Sequence, residues 1–399
     1  MPLIYLGSHG PAPSMSQSKK YDVAVIGAGV FGAWTAYSLR KSGASVLLLD
    51  AYGPASARAS SGGESRIIRM GYGPDDVYTN WSMRALPKWK ELFAQAQRPE
   101  LFKQTGVLWI AHNESYALAS VAALAKAGIL FEKLTIAELR QRYPQIAFDD
   151  DSWGIFEPES GVLMARRAVQ AVVEQAQKLG VEYRTDAVVA PSLPSGRVST
   201  LQTTTSSTIS ANTFVFACGS WLGKLFPGLL GNRIFTSRQE VFFFGVPPGD
   251  RRFEPPAMPT WLQLRDEFYG MPDLEGRGFK IANDRHGPPV DPDGQSRIAS
   301  PSAFAIARQF LARRFPALKN APVVETRVCQ YENTSNGDFL IDKHPAHENI
   351  WLVGGGSGHG FKHGPSLGEY VATCITQDGA TDPRFSLATK QTTQKRAIL

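Results

Sequence analysis

Cysteine is scarce in this chain. Three cysteines, at 218, 329 and 374, stand among 399 residues. Their spacing matches no metal-ligand pattern, and an odd number does not close into a set of disulfides, so no metal and a reducing compartment are expected. Long apolar runs are missing as well. No stretch approaches the ~18 consecutive apolar residues of a membrane helix. The opening MPLIYLGSHGPAPSMSQSKK has an apolar run only over 2–6, too short for a signal peptide. Nor is there a cluster of one charge. The net charge of +6 is spread in pairs such as Lys19-Lys20, Arg251-Arg252 and Arg313-Arg314, whereas a nucleic-acid footprint concentrates basic residues along one element. The expectation is a cytoplasmic protein with no membrane or nucleic-acid partner, whose residues 1–19 form a flexible extension.

What is present is ordinary globular composition: 43% hydrophobic and 20% charged residues, with 37 glycines and 27 prolines for turns. The length suits two domains, or one large α/β domain carrying an insertion.

The segment YDVAVIGAGVFGAWTAYSLRKSGASVLLLD reads as a buried strand over 23–26, a glycine turn, a helix to about 42 and a second strand over 46–49 ending at Asp50. Gly27, Gly29 and Gly32 form G-x-G-x-x-G. The first glycine makes the turn, the second lets the backbone approach a pyrophosphate, and the third lets helix pack on strand. The helix N-terminus then faces the phosphates. Asp50 suits a ribose hydroxyl and repels a 2′-phosphate, which disfavours NADP. The motif itself does not separate NAD from FAD; its place at the start of the chain leans toward FAD.

Next comes ASSGGESRIIRMGYG (59–73), in which small residues, Ser61 among them, surround Arg66 and Arg69. Small side chains let backbone lie close to a bulky planar ligand, and arginines three apart reach different targets. On the residues alone, a solvated pair of charges stays open. At the far end, a strand over 350–353 opens into Gly354, Gly355 and Gly356, then Ser357-Gly358-His359-Gly360-Phe361-Lys362, then a helix from about 366. Five glycines in seven residues again imply backbone laid against something flat. The helix start offers N–H groups and a positive dipole end to a reduced flavin.

Taken in order, Gly27-x-Gly29-x-x-Gly32, SRIIR, RGFK, Cys329 with GDFLIDKHP, and GSGHGFK resemble the monomeric sarcosine oxidase and N-methyltryptophan oxidase family of the D-amino-acid-oxidase superfamily, over about 21–385. The resemblance implies a monomer that oxidises a secondary amine or N-methyl amino acid through FAD, with O2 as acceptor and hydrogen peroxide as product. By the same match, Cys329 forms a thioether to the flavin 8α position, which retains the cofactor and raises its potential. Arg69 and Lys362 clamp the substrate carboxylate, Arg66, His359 and Tyr269 surround flavin and amine, Tyr331 lines the pocket, and Lys280 activates oxygen. The implied catalytic set is therefore Lys280, His359, Tyr269 and Arg66. The implied cofactor contacts are Gly27, Gly29, Gly32, Asp50, Ser61, Arg66, Cys329, Gly356, Gly358, Gly360, Phe361 and Lys362. Cys218 and Cys374 read as structural.

Three positions depart from the family pattern: Asp284 where its sarcosine oxidases have histidine, Ser61-Gly62 where a histidine pair often stands, and Glu332 in place of a threonine. These leave the flavin chemistry in place and the amine open, with pipecolate, proline and fructosyl amino acids among the alternatives, and a dehydrogenase as the alternative activity.

The glycine turn near the start and GSGHGFK near the end must touch one cofactor, so the fold class expected is α/β (α+β overall). A Rossmann-like FAD-binding domain would be built from 20–101, 161–233 and 327–399, with a discontinuous mixed-sheet substrate domain from 102–160 and 234–326. Strands are expected in RQEVFFFGV and RGFKIAND, and helices over 84–95, 165–180 and 302–315.

Overall fold

The computed structural model describes residues 19–189, 195–377 and 379–394; all but the last residue of the expected N-terminal extension lies outside the described residues. The apolar runs VAVI and VLLL become neighbouring strands because continuous burial on both faces suits a parallel sheet. Lys20–Ile26 pairs in parallel with Val46–Asp50 on one side and Thr208–Phe216 on the other. Glu182–Thr185 extends one edge, while His347–Gly354 and the antiparallel Leu340–His344 extend the other. Alternate residues serve opposite faces. Val23, Val25 and Leu48 join a core with the helices Val30–Lys41, Ala165–Lys178 and Gly364–Thr376. Ala24, Ile26, Leu47 and Leu49 face a second core with Leu222, Phe226 and Leu230.

A separate eight-stranded mixed sheet runs Val323–Asn333, Phe235–Phe244, Phe279–Asn283, Phe268–Met271, Thr260–Gln263, Val107–Ala111, Trp153–Glu157, Glu132–Leu134. All neighbours are antiparallel except Thr260–Gln263 with Val107–Ala111. Its outer face is packed by the helix Pro301–Arg314, where Phe310 stacks on Phe268 at 4.0 Å and on Trp261 at 5.7 Å between ring centroids. The strand Val323–Asn333 crosses position 327 without a break and carries Cys329, Tyr331 and Glu332.

The expected helices are found at Asp76–Gln95, Ala165–Lys178 and Pro301–Arg314. The first begins eight residues before 84, because Asp75 caps it by accepting from the N–H groups of Val77 and Tyr78 at 3.1 and 3.4 Å. No described helix is long and apolar enough to cross a membrane.

Candidate active site

A cleft of about 370 Å³ opens at the carboxyl ends of the parallel strands, lined among others by Gly27, Gly29, Asp50, Ser61, Arg66, Tyr331, Gly356, Gly358, Gly360 and Phe361. Open α/β sheets bind ligands at this end. Gly27 has φ +105°, and a Cβ there would lie 2.4 Å from the Ala217 carbonyl oxygen. A Cβ on Gly32 would lie 1.8 Å from the Gly27 carbonyl oxygen, so only glycine lets the helix sit on the turn. Ser61 Oγ accepts from the Val30 N–H at 3.0 Å, at the helix start. Asp50 accepts from the N–H groups of Ala28 at 2.7 Å and Tyr52 at 2.8 Å. Burial raises its carboxyl, and those N–H donors hold it down.

Cys218, read from the sequence as structural, also lines this cleft. Its thiol donates to the Ile26 carbonyl at 3.3 Å, and burial pushes it up far above the usual thiol range. Cys374 is 3% exposed in the helical core. The glycines at 358 and 360 answer to rings of the protein itself: a Cβ on Gly358 would lie 2.9 Å from the Tyr331 ring, and one on Gly360 2.7 Å from Phe31. The cleft lining ends at Phe361. The helix expected from about 366 starts at Gly364, after a 3-10 turn, and its first glycine abuts Trp34.

Beside the cleft, the Arg66 guanidinium donates to the Ser60 carbonyl at 2.7 Å and lies 3.6 Å from Cys329 Sγ. The half-buried thiol is 3.7 Å from the same carbonyl. Lys280 is 2% exposed and donates to the Ser65 carbonyl and hydroxyl at 3.0 and 3.2 Å. Burial, then the neighbouring Arg66 charge, holds its ammonium well below the usual lysine range. Its Nζ lies 5.8 Å from the centre of the Tyr269 ring. Burial, with Asp284 nearby, pushes Tyr269 up to about 12. Tyr331 donates to Asp284 Oδ1 at 2.9 Å. Burial raises the Asp284 carboxyl; Tyr331 and the charges of Arg69 and Lys362 act in the opposite direction. Lys280, Tyr269, Tyr331, Asp284, Arg66 and Cys329 thus form one neighbourhood.

Arg69 is 3% exposed, with its guanidinium 4.6 Å from the Tyr72 ring centre and 4.5 Å from that of Trp109. Glu157 fixes this wall, accepting from Met70 N–H at 2.7 Å and Trp109 Nε1 at 3.0 Å. Lys362 donates to the Tyr72 hydroxyl at 2.6 Å and to the His359 carbonyl at 3.2 Å. The His359 ring is buried, with Nε2 3.0 Å from the Gly337 carbonyl and Nδ1 3.4 Å from the Tyr72 hydroxyl. It packs face to face with Phe339, at 4.9 Å between centroids, outside the cleft lining. Away from this site, one group of possible metal ligands occurs among the described residues, His112, Asp149 and Asp151; Arg265 and Arg314 already pair with its carboxylates.

Residues 22–373 match the family described as FAD dependent oxidoreductase. The chain belongs to that family. It is similar to monomeric sarcosine oxidase of Bacillus sp. (strain NS-129), with 32% identity over 93% of this chain and 96% of the relative. It is 33% identical to peroxisomal sarcosine oxidase of Mus musculus, over 89% of this chain and 92% of that protein. Among solved structures, L-proline dehydrogenase from P. horikoshii superposes with a TM-score of 0.78 at 19% identity, covering 93% of this chain and 97% of that one, a likeness of fold.

For a member of this FAD-dependent family, the residues present fit the cofactor. The cradle at Gly27 and Gly32 leaves backbone bare where a Cβ would collide, and Glu332, which lines the cleft, carries a buried oxygen with no hydrogen-bond partner among the described residues. Sequence reasoning left Tyr72, Trp109 and Ser65 unmarked. Tyr72 lies inside the glycine-rich stretch after Arg69, but nothing local marks a tyrosine that contacts residues near position 360.

Proposed function

We propose that the protein is an FAD-dependent oxidase of a secondary amine or N-methyl amino acid, acting as a monomer in a reducing, cytoplasmic setting, with FAD held covalently through Cys329. The division into an FAD-binding domain over 20–101, 161–233 and 327–399 and a substrate domain over the intervening segments belongs to the same reading. The observation that carries it is the pair of buried cations, Arg69 and Lys362, gathered on Tyr72 and felt by Asp284.

FAD, when bound, supplies the two-electron acceptance and the passage of those electrons to oxygen. The protein's own part is binding and charge. Arg69 and Lys362 hold a carboxylate, with Tyr72 fixing their separation and Trp109 keeping the guanidinium flat. Asp284, set by Tyr331, accepts an N–H of the amine, so that an α-amino acid is held at both polar ends and its C–H is oriented. The rings of Tyr269 and Tyr331 keep water from the amine. Lys280, whose charged form burial disfavours, is favoured as the ammonium when negative charge develops on oxygen beside it.

The test is anaerobic reduction of the purified yellow protein with a panel of N-methyl, cyclic and glycated amino acids, followed by admission of air and assay of peroxide. Bleaching by an amino acid and return of colour with peroxide supports an oxidase. Bleaching that air does not reverse would make it a dehydrogenase, and no bleaching with any member would remove the amine.

A further inference from the structure

Glu332 is 7% exposed, at the end of the strand Val323–Asn333. Its Oε1 accepts from the Gly356 N–H at 3.3 Å, and its Oε2 has no hydrogen-bond partner among the described residues. The side chain lines the cleft. Two glycines come close to Oε2: the point where a Cβ would stand on Gly219 is 3.0 Å away, and that on Gly354, which also meets the Leu222 side chain, 3.9 Å. A buried acceptor without a donor costs about 1–3 kcal/mol, more when charged, so the arrangement calls for a donor brought by a ligand.

We propose that Glu332 binds the cofactor itself, accepting hydrogen bonds from the ribityl hydroxyls of FAD. The inference rests on FAD as cofactor and on neither the Cys329 tether nor the amine. The diphosphate belongs at the start of the helix Val30–Lys41, where N–H donors and the dipole favour anions and a carboxylate would repel. Asp50, at the end of the second strand, is placed for the adenosine ribose. Glu332 stands between that helix start and the Cys329–Arg66 neighbourhood. Toward the first, it shares Gly356 with Phe31: a Cβ there would lie 3.4 Å from Glu332 Oε1 and 3.8 Å from the Phe31 ring. Toward the second, it lies three positions past Cys329, roughly 10 Å along a strand. The piece of FAD that joins diphosphate to ring is the ribityl chain, and its donors are hydroxyls.

Burial pushes the Glu332 carboxyl up to about 7. Hydroxyl donors favour the charged form, so binding of FAD lowers that value and expels a proton near neutrality.

The experiment uses full-length protein carrying Cys329→Ser, stripped of flavin, with Glu332 intact or changed to Gln or Ala. FAD and its 2′-, 3′- and 4′-deoxyribityl analogues are titrated by calorimetry at pH 7 in two buffers of different ionisation enthalpy. With Glu332 intact, FAD releases up to about half a proton, and at least one deoxy analogue binds about tenfold more weakly than FAD. Glu332→Gln abolishes the proton release while still binding FAD. In Glu332→Ala the same analogue and FAD bind alike; if that variant does not fold, the proton release and its loss in Gln decide. Proton release unchanged in Gln, or an analogue penalty that survives in Ala, overturns the proposal. Failure of every variant to bind FAD would instead count against the cofactor assignment.

Discussion

Lys362 donates to the hydroxyl of Tyr72 at 2.6 Å, across 290 residues of sequence. The same hydroxyl lies 2.8 Å from His363 Nε2, and the Tyr72 ring underlies the Arg69 guanidinium. Burial, then the charge of Lys362, holds His363 well below the usual histidine range, so it is neutral beside the ammonium. Tyr72 therefore sets the spacing of the two cations. Tyr72→Phe removes the oxygen and keeps the ring. Acetate binding, read from the perturbed flavin spectrum, should weaken about tenfold, equivalent to about 1.4 kcal/mol, with flavin content unchanged. Unaltered acetate affinity would separate Tyr72 from the carboxylate site.

Lys280 is buried against Ser65, with no carboxylate in ion-pair contact among the described residues. A lysine whose charged form burial disfavours gains that charge back when negative charge appears near it. Lys280→Met should slow flavin reoxidation by about a hundredfold or more, in line with the loss of one group that stabilises developing charge, while anaerobic reduction changes little. Stopped-flow absorbance measures the two half-reactions separately; equal slowing of both would remove the lysine's role with oxygen.

The Asp284 carboxyl is raised in the folded protein, chiefly by burial. A raised carboxyl binds its proton more tightly folded than unfolded. Its contribution to stability is therefore present below the unfolded value and is lost as pH rises through the folded one. For binding, the sign is the reverse, because the charged form is the one that accepts from the amine. We expect kcat/KM to rise with pH as Asp284 ionises. Asp284→Asn should flatten that limb and lower the plateau about ten- to a hundredfold, the range for a hydrogen bond to a charged group. Persistence of the limb in the variant would assign it to another group.

Much of this was legible in the sequence, where the signal is local. The glycine turn, its two apolar strands and Asp50 lie within one short segment whose spacing is set by the turn itself. Lys280 was recognisable only through the resemblance of RGFK to the family pattern; its strand, Phe279–Asn283, is buried at every position but the last. The start of the helix Asp76–Gln95 was hidden by its polar first turns and by Pro87 inside it. Tyr72 and Trp109 escaped notice because their roles arise only when strands from distant segments meet around Arg69. Asp284 and Glu332 stood out only as departures from a pattern, and their surroundings gave those departures a meaning.

The packing at Gly32 permits a sharp contrast. A Cβ there would meet the Gly27 carbonyl oxygen at 1.8 Å, backbone against backbone, whereas one on the exposed Gly228 would meet nothing within 4 Å. Gly32→Ala should lift the helix from the turn, lose bound flavin and cost on the order of 3 kcal/mol. Gly228→Ala, in the short helix Pro227–Leu230, should be neutral or slightly stabilising. Flavin absorbance per polypeptide and thermal melts compare them.

Cys329 Sγ lies 3.6 Å from the Arg66 guanidinium, which donates toward it. Under the tether reading, acid-precipitated wild-type protein should carry yellow colour in the pellet, whereas Cys329→Ser should leave it in the supernatant while the native variant stays yellow. Arg66→Met tests the neighbour: the flavin should remain bound, but with a smaller fraction resisting acid, because the guanidinium contact that holds Sγ in place is lost. A colourless wild-type pellet beside a yellow supernatant would leave FAD in place and remove the covalent bond, and Arg66 would then act on the bound cofactor alone.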